Sequence, residues 1–185
     1  MNETDAELAR RAAAGEPAAA EQLARAYGPA AFRVARSLGL GEHDAEDLAQ
    51  EVLVRLLGLL GRYRPERASL GTLVYRMTAN AVSDFRGRPA ARETRADSEV
   101  LRGAGDPRGG AGAERLEAAE LRELILAAAA GLPERQRQVF ILHDLEELPV
   151  GDVAAALETS PGNVRVHLCS ARRALRERLS HLLEG

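Results

Sequence analysis

Apolar residues recur at intervals of three and four along most of this chain, and nowhere do they alternate as a half-buried strand requires. Asp5–Ala14, Ala18–Tyr27 and Ala30–Leu38 read as short Ala-rich helices, punctuated by Gly15-Glu16-Pro17, Gly28-Pro29 and Gly39-Leu40-Gly41. A stronger helix follows, with Asp44 as its cap, Asp47 at the third helical position, and Glu46 and Asp47 set against the helix dipole. Its apolar stripe is Leu48, Val52, Leu56 and Leu59, which leaves Asp47, Gln50, Glu51 and Arg55 on or near the solvent side. After a break from Arg62 to Arg67, Leu70–Phe85 predicts another helix. Leu70, Leu73, Val74, Met77, Ala81 and Phe85 point inward there, and Tyr75, Arg76, Asn80, Ser83, Asp84 and Arg86 lie on other faces.

From Gly87 to Arg115 the pattern stops, and Gly, Pro, Arg, Asp and Ser replace almost every large apolar residue, as in a linker. About 25 such residues have a relaxed span of roughly 28 Å and a stretched reach on the order of 80 Å. Helical periodicity resumes over Leu116–Ala130, stops at Gly131-Leu132-Pro133 and continues from Glu134 to about Asp144. Val150–Leu175 then reads as two short helices hinged at a polar turn. Val153, Ala154 and Leu157 mark the inner face of the first, with Ala154 small enough for a close crossing, and Val164 and Leu168 recur in the second. Ser160 supplies a capping hydroxyl and Pro161 sits at the first helical position, where its missing N–H costs nothing. The exposed positions of that helix, Asn163, Arg165, Val166, His167, Ser170, Arg172 and Arg173, offer groups able to reach base edges and phosphates in a DNA major groove. The expected fold is all-α: helical domains over 1–88 and 116–185, joined by a flexible linker over 89–115, the second domain a helix-turn-helix.

Composition narrows the function. With 45% hydrophobic and 29% charged residues the chain is ordinary globular material. No basic-then-apolar leader follows Met1 and no apolar run could span a bilayer, so a cytoplasmic location without membrane insertion is expected. All 25 basic residues are arginine, and they are segregated. Residues 1–56 carry 6 Arg against 10 acids, 57–95 carry 8 against 3, 96–160 carry 6 against 13, and 161–185 carry 5 against 2. Two basic stretches divided by an acidic one suit a protein that touches a polyanion twice. The single cysteine, Cys169, excludes an internal disulfide and is expected to pack within its helix. His43, His143, His167 and His181 lack metal-ligand spacing, and no phosphate-binding loop or nucleophile elbow is present. Neither an enzyme nor a cofactor is expected.

The order of these pieces resembles the extracytoplasmic-function group of bacterial sigma factors, dissociable subunits that direct RNA polymerase to promoters. Asp44–Leu57 resembles the family's helix for the polymerase clamp, Ala68–Arg88 its promoter-melting and minus-ten-reading helix, and Leu132–Leu175 its minus-thirty-five-reading domain. The resemblance implies that Asp47, Gln50 and Glu51 contact core RNA polymerase. It further implies that Arg67, Ala68 and Ser69 border a pocket for a base flipped out of promoter DNA, while Asn80, Asp84, Arg86 and Arg88 hold the adjacent strand. In the second domain it implies that Ser160, Gly162, Asn163, Arg165, Val166, His167, Ser170, Arg172 and Arg173 form the duplex-reading surface, and a partner anti-sigma factor is expected.

The chain departs from the family's pattern at several points. Leu73 stands where a tryptophan is usual, Glu158 where the helical turn often has glycine, Thr159 where an apolar residue is frequent, and His167 and Ser170 replace frequent arginines. The alternative is a helix-turn-helix regulator of the response-regulator output type, which would need a receiver domain of alternating strands and helices. Residues 1–88 predict helices only. A protein-only adaptor is a further rival, separable by a gel shift with and without core polymerase.

Overall fold

A computed structural model describes residues 3–87 and 112–183, and every regular element among them is helical. Most of the expected linker, and Arg88 with it, lies outside the described residues. The first unit comprises α1 (Glu3–Ala13), α2 (Pro17–Ser37), α3 (Glu42–Leu59), a 3-10 turn (Leu60–Arg62) and α4 (Leu70–Gly87). The second comprises α5 (Gly112–Ala130), α6 (Glu134–Phe140) running into a π turn (Ile141–Leu145), α7 (Val150–Ala156) and α8 (Pro161–Leu183). Helix α5 starts four residues ahead of the expected Leu116.

Three expectations at element boundaries are corrected. Gly28-Pro29 does not divide α2, which runs through both residues. Proline's fixed φ is itself helical, and its cost is one lost hydrogen bond and crowding of the preceding turn. Burial of Ala19 and Leu23 before it and of Ala31, Val34 and Ala35 after it offsets that cost. Gly28 also lets α3 approach closely, since a Cβ there would lie 3.3 Å from Leu53 Cδ1, a tight contact. Helix α3 begins after Gly41 and not at Asp44, and the Ala45 N–H already bonds to the Gly41 carbonyl at 2.9 Å. Glu42 and Asp44 then both lie in the first turn, where carboxylates favour the helix dipole. Leu59 leaves the core, 41% exposed, and Leu60 replaces it at 5%. The chain tightens to three residues per turn at that point, which shifts the phase of the stripe.

The rest of the first core follows the pattern: Leu48, Val52, Leu56, Leu70, Val74 and Val82 are buried together. Thr78, fully buried in α4, returns its hydroxyl to the Val74 carbonyl at 2.8 Å. At the end of α2 the Leu40 N–H closes onto Ala35 at 3.1 Å through Gly39, whose φ of +96° a side chain rarely adopts. Against Gly39 lies the Arg86 guanidinium, which donates to the Leu38 carbonyl.

In the second unit Val139, Ile141, Leu142, Val153, Ala156, Val164 and Ala171 are fully buried. Ala154, at 4% exposure, is buried on α7, which packs against α8. Arg178 of α8 caps α5, donating to the carbonyls of Ala128 at 2.7 Å and Gly131 at 2.8 Å. The two units lie against each other, and their buried residues form one continuous cluster. Helix α4 packs on α7, and α2 on the π turn. At one edge Glu146, its side chain 4% exposed, receives Arg33 at 3.2 Å and Arg122 at 3.5 Å, while Arg122 also reaches Ser37 at 3.0 Å. At another, Ser83 donates to Glu134 and accepts from Gln138 at 2.9 Å.

Candidate functional site

Three surfaces gather the residues singled out in the sequence. The first is the outer face of α3. Asp47, Gln50 and Glu51 are exposed there, with Glu51 paired to Arg55 one turn on and Asp47 3.8 Å from His43. Val54 lies on the same face at 71% exposure, four residues beyond Gln50 and three beyond Glu51. Its place outside the buried series Leu48, Val52 and Leu56 marks it in the sequence, although the stripe alone gave it no role.

The second surface is a cavity of about 310 Å³ at the start of α4, the size of a small-ligand cleft. Arg62, Tyr63, Arg64, Arg67, Ala68, Thr72 and Arg76 line it, together with Leu59, Leu73 and Ala155. Arg67 and Ala68 are thus brought together as expected. Ser69 stands beside them as the cap of α4, accepting the Thr72 N–H at 3.0 Å. Arg62, Arg64 and Arg76 were not among the expected site residues; the signal for the first two was the basic break itself. The Tyr63 hydroxyl is held above its ordinary pKa by burial and by the nearby carboxylates of Asp5 and Glu66. Tyr27, bonded to Asp5 at 2.6 Å, is pushed further up by burial and that hydrogen bond. Asn80 and Asp84 are exposed on α4. Arg86 is half-buried and committed to the end of α2 through Leu38.

The third surface is the outward face of α8. Ser160 caps it, accepting the Asn163 N–H at 3.1 Å, and Asn163 reaches Thr159 at 3.3 Å. Gly162, Arg165, Val166 and Arg173 are exposed, Val166 at 64%. His167 and Ser170 are half-buried on the flank nearer the core. Arg172 forms a two-pronged pair with Asp144 at 2.6 and 2.9 Å, which holds its guanidinium still more firmly protonated. Cys169 corrects an expectation: it is exposed and not packed. At 100° per residue it falls beside Val166 and Arg173, opposite the buried Val164, Leu168, Ala171 and Leu175. Among the described residues no group of three or more His, Cys, Asp or Glu side chains could hold a metal ion.

Residues 23–92 match the family model for sigma-70 region 2, and residues 122–175 that for sigma-70 region 4. The chain is similar to the ECF RNA polymerase sigma factor ShbA of Streptomyces griseus subsp. griseus, 33% identical over 92% of this chain and 94% of ShbA. To the ECF sigma factor SigE of Mycolicibacterium smegmatis it is 29% identical over 86% of its length, and it spans 61% of SigE. Among solved structures, CnrH in complex with the cytosolic domain of CnrY superimposes with a TM-score of 0.71 at 26% identity, covering 97% of this chain and 99% of CnrH. The sigma factor RpoE of Bartonella quintana, solved with the anti-sigma factor NepR, shares the fold with a TM-score of 0.66 at 21% identity, over 86% of this chain and 96% of that one.

Proposed function

The chain belongs to the extracytoplasmic-function group of sigma-70 RNA polymerase sigma factors, subunits that direct promoter-specific transcription initiation, and from that premise we infer which of its residues do the work. Core polymerase meets the outer face of α3. Asp47, Gln50 and Glu51 supply acidic and polar contacts there, and exposed Val54 supplies apolar area for the contact to bury. The cavity at the start of α4 receives a base extruded from the opened minus-ten element. Extrusion costs a few kcal/mol of stacking, which the Tyr63 ring and the surrounding guanidiniums return, while Arg67 and Asn80 hold the strand beside Asp84. Arg86 contributes indirectly, by fixing α4 to the end of α2.

Duplex reading belongs to α8. Arg165, Val166 and Arg173 face outward toward the groove, with Ser160, Gly162 and Asn163 near the backbone at its entry. His167 and Ser170 reach the flank, and Arg172 grips phosphate only by exchanging it for Asp144. Like CnrH with CnrY and RpoE with NepR, the chain has a protein partner of the anti-sigma class. No helix among the described residues is long and apolar enough to cross a membrane, in keeping with work on polymerase in the cytoplasm.

The observation that carries this reading is the arginine-lined cavity, all of whose arginines lie in the segment that matches region 2. Run-off transcription with core polymerase from the promoter upstream of the chain's own gene tests it. Arg67→Ala should lose initiation on duplex template and recover it on a template already melted over the minus-ten element. Equal loss on both templates would assign Arg67 to something other than melting.

A further inference from the structure

We propose that Asp144 is a specificity-determining residue of the duplex-reading surface, one that withholds Arg172 from phosphate until α8 has found its register on the promoter. The proposal rests on the assignment of α8 to duplex reading.

Arg165, Arg172 and Arg173 are all exposed on α8, yet among the described residues Arg172 alone of the three has a carboxylate partner. Asp144 lies in the π turn after α6, where the Glu146 N–H bonds back five residues to the Ile141 carbonyl at 3.0 Å. Its side chain is 18% exposed against 53% for Arg172, so the carboxylate is the fixed member of the pair and the guanidinium the one able to leave. Arg172 Nε and Nη2 donate to the two carboxylate oxygens at 2.9 and 2.6 Å. Two parallel charge-assisted bonds in a planar fork hold far better than an ordinary surface ion pair. His143 Nε2 stands 3.9 Å from the same carboxylate, beyond hydrogen-bond reach.

A phosphate must therefore displace a carboxylate already in place. On a duplex that offers α8 no matching bases, the helix samples many registers and no phosphate stays beside Arg172, so the pair with Asp144 persists. A matched promoter changes this. Arg165 lies seven residues earlier, two turns or about 10.5 Å along the same stripe of the helix. Once Arg165 is seated on a base edge, a phosphate is held at one distance from Arg172 and its effective concentration there rises. Exchange of Asp144 for phosphate then belongs to the matched complex. Discrimination is a difference of affinities, and here it is widened by weakening the wrong complex.

Holoenzyme competition gel shifts over roughly 50 to 200 mM salt test this, using the promoter upstream of the chain's own gene and the same duplex with its minus-thirty-five element scrambled. Asp144→Asn should bind the scrambled duplex several-fold more tightly, with a salt slope steeper by about 0.9 for the added phosphate contact, and should gain much less on the intact promoter. Arg172→Lys keeps the charge but cannot fork, so it should reduce discrimination in the same direction, and it serves even if Asp144→Asn fails to fold. Asp152→Asn, which removes the same charge from the first turn of α7, is the control. An equal loss of discrimination there would assign the effect to bulk charge and overturn the proposal. Unchanged discrimination in Asp144→Asn and Arg172→Lys would overturn it as well. So would weaker binding of Asp144→Asn to both duplexes, which would make Asp144 a support for Arg172. Arg165→Ala separates this proposal from the reading beneath it. If Arg165→Ala left discrimination intact, the assignment of α8 would fall; a loss in Arg165→Ala beside a silent Asp144→Asn would remove the role of Asp144 alone.

Discussion

Val166 and Cys169 stand side by side on the outward face of α8, an apolar strip between Arg165 and Arg173. In a major groove the apolar feature available to such a strip is the thymine methyl group. Replacing thymine by deoxyuridine at the contacted position should cost roughly 0.8 kcal/mol, the value of one buried methyl-sized group, in holoenzyme competition gel shifts. Val166→Ala should make the two bases equivalent; if discrimination survives, another residue reads that position. Tyr27 gives a prediction in pH. Its pKa is raised in the folded chain, so stability is fully present below the ordinary tyrosine value of about 10 and falls as pH rises above it. Urea titrations at pH 9 and 11 should show that fall in the wild type, and Tyr27→Phe should reduce it. The Tyr27–Asp5 bond joins residues 22 apart, and nothing in the local sequence announced it.

At the scale of elements, α3 and α8 invite opposite tests. Asp47→Arg with Glu51→Arg on the outer face of α3 should abolish co-purification with core polymerase, while shifting stability by only about half a kcal/mol, as exposed substitutions do. Intact co-purification would remove the polymerase role from this face. Ser160→Ala should cost about 1 kcal/mol in the second unit, because the Asn163 N–H loses its cap. Much at this scale was legible in sequence. The buried series Leu48, Val52 and Leu56, the capping hydroxyl of Ser160 and the inward pair Val164 and Leu168 all follow from periodicity and local chemistry. Periodicity failed where a neighbour decided the outcome. Pro29 was overruled by the packing of α2, and Leu59 by the 3-10 turn that brought Leu60 inward. The bond from Arg86 to the Leu38 carbonyl joins residues 48 apart, and no local pattern announced it.

For the whole molecule, the two-unit plan was readable from the loss of apolar pattern after Gly87, whereas their mutual packing was not. It depends on pairs such as Arg33 with Glu146, 113 residues apart, whose residue types look like ordinary solvated charges in the sequence. Residues 88–111 lie outside the described structure, and their composition argues for a spacer whose length matters more than its sequence. Shuffling them should preserve run-off transcription, whereas deleting about ten should cut the reach from roughly 80 Å to about 50 Å and stop initiation. Glu146 carries one consequence for how the chain comes apart. With a guanidinium from each unit on one buried carboxylate, and apolar burial continuous across the seam, neither half can melt without exposing the other. Calorimetry should therefore record one cooperative transition with matching calorimetric and van't Hoff enthalpies, and Arg33→Ala should split it into two.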